Sequence, residues 1–544
     1  MGGGLFLMLE KNDLNRLESH WAIAAIPKTD RKACFNIIEK INVQKSIKKS
    51  IQFNFKIEKD WQEKVLKMAL AYEMPAIENI ASFTNYADES CDRGLFSASA
   101  WRCFDLYSVV EIPKNINAKI FFVLHLCSMA YCGGRWNDLK KWYLDNKNTV
   151  LLDMQDAEID DWEQKLLETI FRCWIRLFIK KDWEDLSQVG LEIVKLRESQ
   201  RIYEEKYLNK AKDSQQSAFI LIALYNLSKS TELLATYMMQ GEPAAIHGQL
   251  DKHFESAIEA ALCADDTEFE AILRWLHCAS NYMVDGSIWW IARAINSRTT
   301  EFVRYVTKNR GLFEMLPPQK AAIREQGLLD QASTAIAVEM PTSGGKTLLA
   351  EFKLLQALNQ FDQEKGWVAY VAPTKALVSQ ITRRLRKDFS ERIRVEQLSA
   401  AIEIDSYESE MLESSERSFD VIVSTPEKLN LVIKNNKVSR PLALVIMDEA
   451  HNIEDQERGL RIELLLAAIK MDCPKANFLL LMPYVENAEV LSRWLSNDLA
   501  SGKSISIGST PWKPSERVVG LYEKMSCQGR GNWYLVFDTL VTMS

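Results

Sequence analysis

Near residue 310 the sequence changes its period, and that change limits what the chain can fold into. Up to about residue 300, apolar residues recur at three- and four-residue spacing. DDWEQKLLETIFRCWIRLFIKKDWEDLSQVGLEIVKLRESQ and AIEAALCADDTEFEAILRWLHCASNYMVDGSIWWIARAI are examples. Such spacing gathers the apolar side chains on one helix face, so this half predicts helix packed on helix. Eleven of the fifteen Trp lie here, mostly inside apolar faces, where core packing is their ordinary use. The texture suggests stacked helical hairpins, but no fixed repeat length emerges. Beyond residue 310, short apolar runs alternate with helical stretches: TAIAVEM then LLAEFKLLQALNQ, WVAYVAP then KALVSQITRRLRKDF, DVIVSTP then EKLNLVI. LALVIMDEA and NFLLLMPY follow. This alternation predicts βαβ units and a mainly parallel sheet.

At 544 residues the chain is too long for one core. Its net charge of −7 excludes a polycation, so any nucleic-acid contact must come from a local groove. No window approaches the roughly 20 apolar residues of a membrane span. The start, MGGGLFLMLEKNDLNRL, lacks the basic region and cleavage site of a signal peptide. Ten cysteines without a CxxC pair, Cys127 and Cys132 being closest, predict reduced and mostly buried thiols. These features predict a cytoplasmic protein with no membrane partner.

In an open α/β sheet, ligands bind beyond the carboxyl ends of the strands. Each candidate strand here runs into a polar, turn-forming or acidic cluster at that end. After TAIAVEM comes PTSGGKT, residues 341–347, and then the helical LLAEF. A phosphate-binding loop needs small residues for close backbone approach, a Lys for the β and γ charge and a hydroxyl for Mg2+. It also needs a helix N-terminus aimed at the anion. Gly344, Gly345, Lys346 and Thr347 supply these, and Thr342 and Ser343 complete the ATP-binding stretch. The usual spacing asks for Gly at 340, where this chain has Met340. On spacing alone, a chance polar turn stays open. About 100 residues downstream, LVIMDEAH sets Asp448, Glu449, Ala450 and His451 after a buried run. An Asp there can hold Mg2+ through water, and the adjacent carboxylate can orient and deprotonate an attacking water.

Together, PTSGGKT (341–347), APTKALVSQ (372–380), STPEKL (424–429) and DEAHN (448–452) resemble the first motor domain of superfamily 2 DExH-box helicases. LPPQKAAI (316–323) is similar to the Q-type segment of that family, which implies that Gln319 reads the adenine edge. The stretch DEAHNIEDQERGLRIELLL, with Glu457, Arg458, Gly459 and Glu463, is more like the Ski-type and Hel-type branch than the DEAD-box branch. The resemblance covers roughly residues 310–515. It implies an α-helical N-terminal half followed by an α/β RecA-like P-loop NTPase domain, with ATP and Mg2+ as cofactors. It makes Lys346, Asp448 and Glu449 catalytic, Thr347 and Asp448 the metal-holding pair, and Pro373, Thr374, Lys375, Thr425 and Pro426 contacts to DNA or RNA. Local chemistry agrees, since Thr425 can cap a helix whose free N–H groups suit a backbone phosphate. TRRLRKDFSERIR (382–394) is the densest basic run, with two readings: a solvated helix face, or a flanking phosphate contact.

Two departures qualify the resemblance. The family carries Ser-Ala-Thr after NFLLL, linking the nucleotide and nucleic-acid sites; this chain has Met482, Pro483 and Tyr484. About 60 residues follow, too few for the second motor domain that supplies arginine fingers, which suggests a truncated gene, a fragment or a subunit completed elsewhere. The expected domains are 1–305, helical and docking a partner or nucleic acid; 306–515, ATP-binding; and 516–544, the start of a further segment. The layout also resembles the HamB-like and AbpB-like helicase subunits of bacterial antiphage systems, which implies a nuclease-like partner subunit. Two functions remain in play. One is an ATP-dependent helicase or translocase; the other is a nucleotide-gated binding subunit with little or no unwinding.

Overall fold

The computed structural model describes residues 11–46, 60–83, 92–151, 162–211, 213–292, 297–340, 344–389, 392–398, 404, 406–414, 418–455, 458–483, 487–496, 502–506, 517–525 and 534–543. The chain divides into two compact units, Met1–Asp285 with Ser515–Ser544, and Gly286–Pro514.

In the first unit the described residues up to 285 form helices joined by short turns, with no strand among them. Long helices include Trp61–Phe83, Trp162–Ile179, Trp183–Lys210, Ser214–Gln240 and Thr267–Gly286. Their starts follow the capping residues in the sequence. Asp92, Asn115 and Asp182 each accept the backbone N–H three residues on, and Asp213 accepts those of Gln215 and Gln216. Gly241 ends its helix in the left-handed conformation at φ 75°. Trp162 and Trp174 are among the largest fully buried side chains, the core use expected of the Trp-rich half. Cys34, Cys103, Cys127, Cys132, Cys173 and Cys278 are buried and not joined in disulfides. One sequence expectation is corrected: Ser214–Gln240 is long and apolar enough to cross a membrane. Leu221, Leu224, Leu227, Leu234 and Tyr237 of this helix are buried in the protein, and a core helix carries the same composition as a span.

The second unit is a seven-stranded, wholly parallel sheet. Its strands are β1 (Ala335–Glu339), β2 (Trp367–Val371), β3 (Val395–Gln397), β4 (Val421–Ser424), β5 (Leu442–Met447), β6 (Asn477–Met482) and β7 (Gly502–Ser506). They lie in the order β3-β4-β2-β5-β6-β1-β7. Every residue of β1, β2, β4, β5 and β6 is buried, as a sheet covered by helices on both faces requires. The five runs read as strands in the sequence are these five. The two unforeseen strands, β3 and β7, are the sheet edges. The helix Ser297–Arg310, helical in texture like the first half, packs within this second unit. Phe302 meets Phe352 and Phe389 with ring centroids 5.5 Å apart in each case. The strand order places β6 between β1 and β5, so the loops after these three strands are neighbours at one end of the sheet.

A nucleotide-type site at the carboxyl ends of the strands

After β1 the backbone stays in the sheet for one more residue: the Met340 N–H donates to the Met482 carbonyl at 3.1 Å, and Met340 is buried. Here position 340 is an extension of the strand, outside the left-handed region, and needs no glycine. Thr342 and Ser343 lie outside the described residues. Gly345 stands at φ 75° as N-cap of the helix Lys346–Gln360, and a Cβ there would collide with the Gln319 Nε2. Glycine is therefore required both for conformation and for close approach.

Gln319 is buried beneath this loop at 4% exposure. Its Oε1 accepts the Leu316 N–H at 2.9 Å, while its Nε2 donates to the Gly345 carbonyl at 3.1 Å and to that of Gly344 at 3.3 Å. Both ends of the amide are thus engaged with backbone, one on its own helix start and one on the phosphate-type loop.

Lys346 is 6% exposed, and its Nζ has no hydrogen-bond partner among the described residues. Burial pulls its ammonium below the ordinary lysine range, against the opposing fields of Glu449 and Asp448. A buried cation without a partner is costly, and an anion placed at the loop would relieve it. Thr347 follows at the first turn, half-buried.

Asp448 follows the buried β5. Its N–H donates to the Val371 carbonyl at 2.8 Å, its Oδ1 accepts the Glu449 N–H at 3.0 Å, and its Oδ2 accepts the Tyr370 hydroxyl at 3.2 Å. Burial raises its carboxyl above the usual aspartate range and the Glu449 charge adds to this. The Glu449 N–H, the Tyr370 hydroxyl and Lys346 oppose the rise. Glu449 holds φ 52°, a left-handed conformation that costs a non-glycine residue on the order of 1–2 kcal/mol. The Asn452 amide nitrogens, backbone and side chain, donate to its carbonyl at 3.0 and 2.7 Å and hold the turn. His451 Nδ1 lies 3.3 Å from Glu449 Oε2, near enough to pair electrostatically but outside hydrogen-bond geometry.

On the other side of β5, strands β2 and β4 end together, with the Ala372 N–H donating to the Ser424 carbonyl at 3.0 Å. Each leads into a threonine-capped helix. Thr374 Oγ1 accepts the Leu377 N–H at 3.3 Å, and Thr425 Oγ1 accepts that of Lys428 at 3.4 Å. Thr374 and Lys375 are exposed, Pro373 and Thr425 half-buried, and Pro426 is buried at the first position of its helix. Two helix N-termini thus open side by side. The basic run behind them pairs with carboxylates of its own unit. Arg384 Nε lies 3.0 Å from Glu351 and 3.5 Å from Asp388, Arg386 pairs with Glu396 at 2.9 Å, and Arg392 pairs with Glu301.

Two residues at this end of the sheet were passed over in the sequence reading. Tyr370 is wholly buried within the apolar run WVAYV, and a buried phenol needs a partner for its hydroxyl. Glu351, wholly buried in LLAEFKLL, meets Arg384 and Arg310, the latter at 3.4 Å; burial pushes its carboxyl up to about 7. β6 ends in Met482, buried, and Pro483, neither bearing a hydroxyl; Tyr484 lies outside the described residues, as does Glu457.

The residue set fits a magnesium-bound triphosphate. It offers a buried ammonium with no hydrogen-bond partner among the described residues, a glycine-lined helix start, a threonine hydroxyl at the first turn and a carboxylate with one hydrogen bond to each oxygen. Among the described residues no cluster of three or more His, Cys, Asp or Glu side chains could cage a metal, whereas Mg2+ needs only one or two carboxylates beside phosphate and water.

Comparison with known proteins finds sequence relatives for this region. Residues 317–482 match the DEAD/DEAH box helicase family. The ATP-dependent DNA helicase Hel308 of Methanocella arvoryzae is 30% identical over 213 residues, 39% of this chain and 26% of that protein. The Hel308 of Thermococcus kodakarensis is 30% identical over 223 residues, 41% of this chain and 18% of that protein. The matched stretch thus spans under a third of the length of these curated relatives. Among solved structures, the DUF1998 helicase MrfA bound to DNA aligns with 39% of this chain and 29% of its own at TM-score 0.30 and 18% identity. The region from Pro317 to Met482 thus resembles DEAD/DEAH box helicases and is similar in sequence to the Hel308 helicases.

Proposed function

We propose that this chain is an ATP-hydrolysing helicase or translocase subunit whose turnover depends on bound nucleic acid. The observation that carries the reading is the Lys346 ammonium, buried at the start of a helix with no hydrogen-bond partner among the described residues and facing the field of two carboxylates. A γ-phosphate is the anion best suited to that place. In this reading Thr342, Ser343, Gly344, Gly345 and Thr347 cradle the phosphates with their backbone and hydroxyl groups, and Gln319 orders the loop. Thr347 and Asp448 would hold Mg2+, which when bound neutralises charge on the β- and γ-oxygens. Glu449, held in its strained turn, takes the proton of the attacking water. Pro373, Thr374, Lys375, Thr425 and Pro426 line the two helix starts that receive backbone phosphates, a contact that carries no base specificity. DNA is the first substrate to test, because the named relatives are DNA helicases.

The finer reading adds a cytoplasmic role in antiphage defence beside a nuclease-like partner, with the helical 1–305 region docking partner or nucleic acid. It rests on the likeness of layout to antiphage helicase subunits. A second reading, a nucleotide-gated binding subunit, draws on Met482 and Pro483, which bring no hydroxyl between the phosphate loop and Asp448.

The test is ATP turnover with and without single-stranded DNA or RNA, in the wild type and in Glu449→Gln. The helicase-type reading expects stimulation by nucleic acid in the wild type. It expects Glu449→Gln to bind ATP while losing about 10²–10⁴ in turnover, the usual worth of a general base. ATP binding without any stimulation favours the gated binding subunit.

A further inference from the structure

Two bonds tie the end of β2 to Asp448. The Val371 carbonyl accepts the Asp448 N–H at 2.8 Å, and the Tyr370 hydroxyl donates to Asp448 Oδ2 at 3.2 Å. Tyr370 is wholly buried on a strand that lies between β4 and β5. Three residues further on, the same strand opens into Pro373–Lys375, and the Ala372 N–H grips Ser424, one residue before Thr425. Among the described residues, Tyr370 supplies the one side-chain hydrogen bond to Asp448, and it comes from the strand that carries the exposed Thr374 and Lys375. β6, the strand that separates β1 from β5, ends without a hydroxyl at Met482 and Pro483.

Asp448 has one donor on each oxygen: the Glu449 N–H on Oδ1 and the Tyr370 hydroxyl on Oδ2. With both in place the carboxylate plane is fixed; with one removed it can turn about its last torsion. The 373–375 loop continues directly from β2, so the phenol and the loop share one strand end. We infer that Tyr370 is a positioning residue. Its hydroxyl sets the Asp448 carboxylate for the magnesium–nucleotide complex and carries displacement of the Pro373–Lys375 loop to that carboxylate. The inference rests on the reading of Asp448 as the metal-holding carboxylate of an ATP-driven motor.

The experiment uses the full chain and Tyr370→Phe, which keeps the ring and removes the hydroxyl. A fluorescent ATP analogue is titrated across Mg2+ concentrations and in EDTA, and ATP turnover is measured with and without a single-stranded oligonucleotide. Tyr370→Phe raises the Mg2+ concentration needed for half-maximal nucleotide binding by about tenfold, the usual worth of a hydrogen bond to a charged group. Metal-free binding is unchanged, and stimulation by the oligonucleotide falls at least about threefold, because the relayed group is a charged hydrogen-bond acceptor. In an Asp448→Asn background the same substitution changes neither quantity further, since the hydroxyl acts through that carboxylate. Any general effect of the lost hydroxyl on folding appears in both backgrounds and cancels in this comparison. Wild-type Mg2+ dependence and stimulation in Tyr370→Phe overturn the inference, as does an equal loss in the Asp448→Asn background. If Lys346→Ala binds the analogue as the wild type does, the ATP-motor reading falls as well.

Discussion

Gln319 offers a prediction in which two roles for one side chain separate cleanly. The family resemblance implies that it reads the adenine edge, whereas the structure engages both ends of its amide with backbone. Consider Gln319→Ala. The substitution removes the acceptor of the Leu316 N–H at 2.9 Å and the donor to the Gly345 carbonyl at 3.1 Å, with a weaker contact to Gly344 at 3.3 Å. Each such bond contributes about 0.5–1.5 kcal/mol net, and a donor left buried without a partner costs about 1–3 kcal/mol. The loop beside Lys346 therefore loses about 1 kcal/mol of ordering, the central value for its principal bond to Gln319, while the Leu316 bond is lost from the helix start. That corresponds to a loss of nucleotide affinity of roughly fivefold, at about 1.4 kcal/mol per tenfold. Because the loop grips phosphates, the loss should be the same for ATP and GTP analogues. Equilibrium titration of both with wild type and variant measures it, with the melting curve as a check on folding. A loss confined to the adenine nucleotide would refute the bracing argument and assign Gln319 to base reading.

Glu351 makes stability depend on pH. Its folded value of about 7 lies above its ordinary 4.5, so the folded state holds the proton more tightly than the unfolded chain. The stability it contributes is fully present below pH 4.5 and is lost as pH rises through about 7. The loss is on the order of 1–3 kcal/mol, given that Arg384, Arg310 and Asp388 also face the group. Melting curves of Glu351→Gln should be flatter than wild type between pH 5 and 8, and parallel curves would contradict this. In the helical unit, Asp213→Ala removes the cap from Gln215 and Gln216 and should cost about 1 kcal/mol in denaturant titrations. A change within about 0.2 kcal/mol would show the cap to be idle.

How far the fold was legible follows from burial. The runs TAIAVEM, WVAYVAP, DVIVSTP, LALVIM and NFLLLM announce strands because each is buried on both faces and so apolar throughout. Val395–Gln397 is three residues long, buried at one end and exposed at the other, and Gly502–Ser506 reads GKSIS; each pairs on one side only. Nothing in such short, polar edge segments sets them apart from a loop. Ser297–Arg310 reads as the last of the helical half because periodicity is local. Its membership of the second unit is decided by Phe302 against Phe352 and Phe389, and by Arg310 against Glu351 and Asp388. The loop from Gly344 to Thr347 and the Asp448–Glu449 pair stand out in the sequence because each breaks a fully buried apolar run with small, polar or acidic residues. The Tyr370–Asp448 bond was not, since it joins residues 78 positions apart on neighbouring strands. A phenol inside WVAYV was the available signal.

The central claim is that Lys346, Asp448 and Glu449 serve a motor whose hydrolysis answers to nucleic acid. Steady-state ATP turnover of the full chain, measured as single-stranded DNA is titrated in at fixed Mg2+ and salt, tests it most directly. The account predicts a saturable rise that is abolished by Lys346→Ala and by Glu449→Gln. A basal rate that no DNA or RNA changes, or a stimulated rate that survives Lys346→Ala, would contradict it.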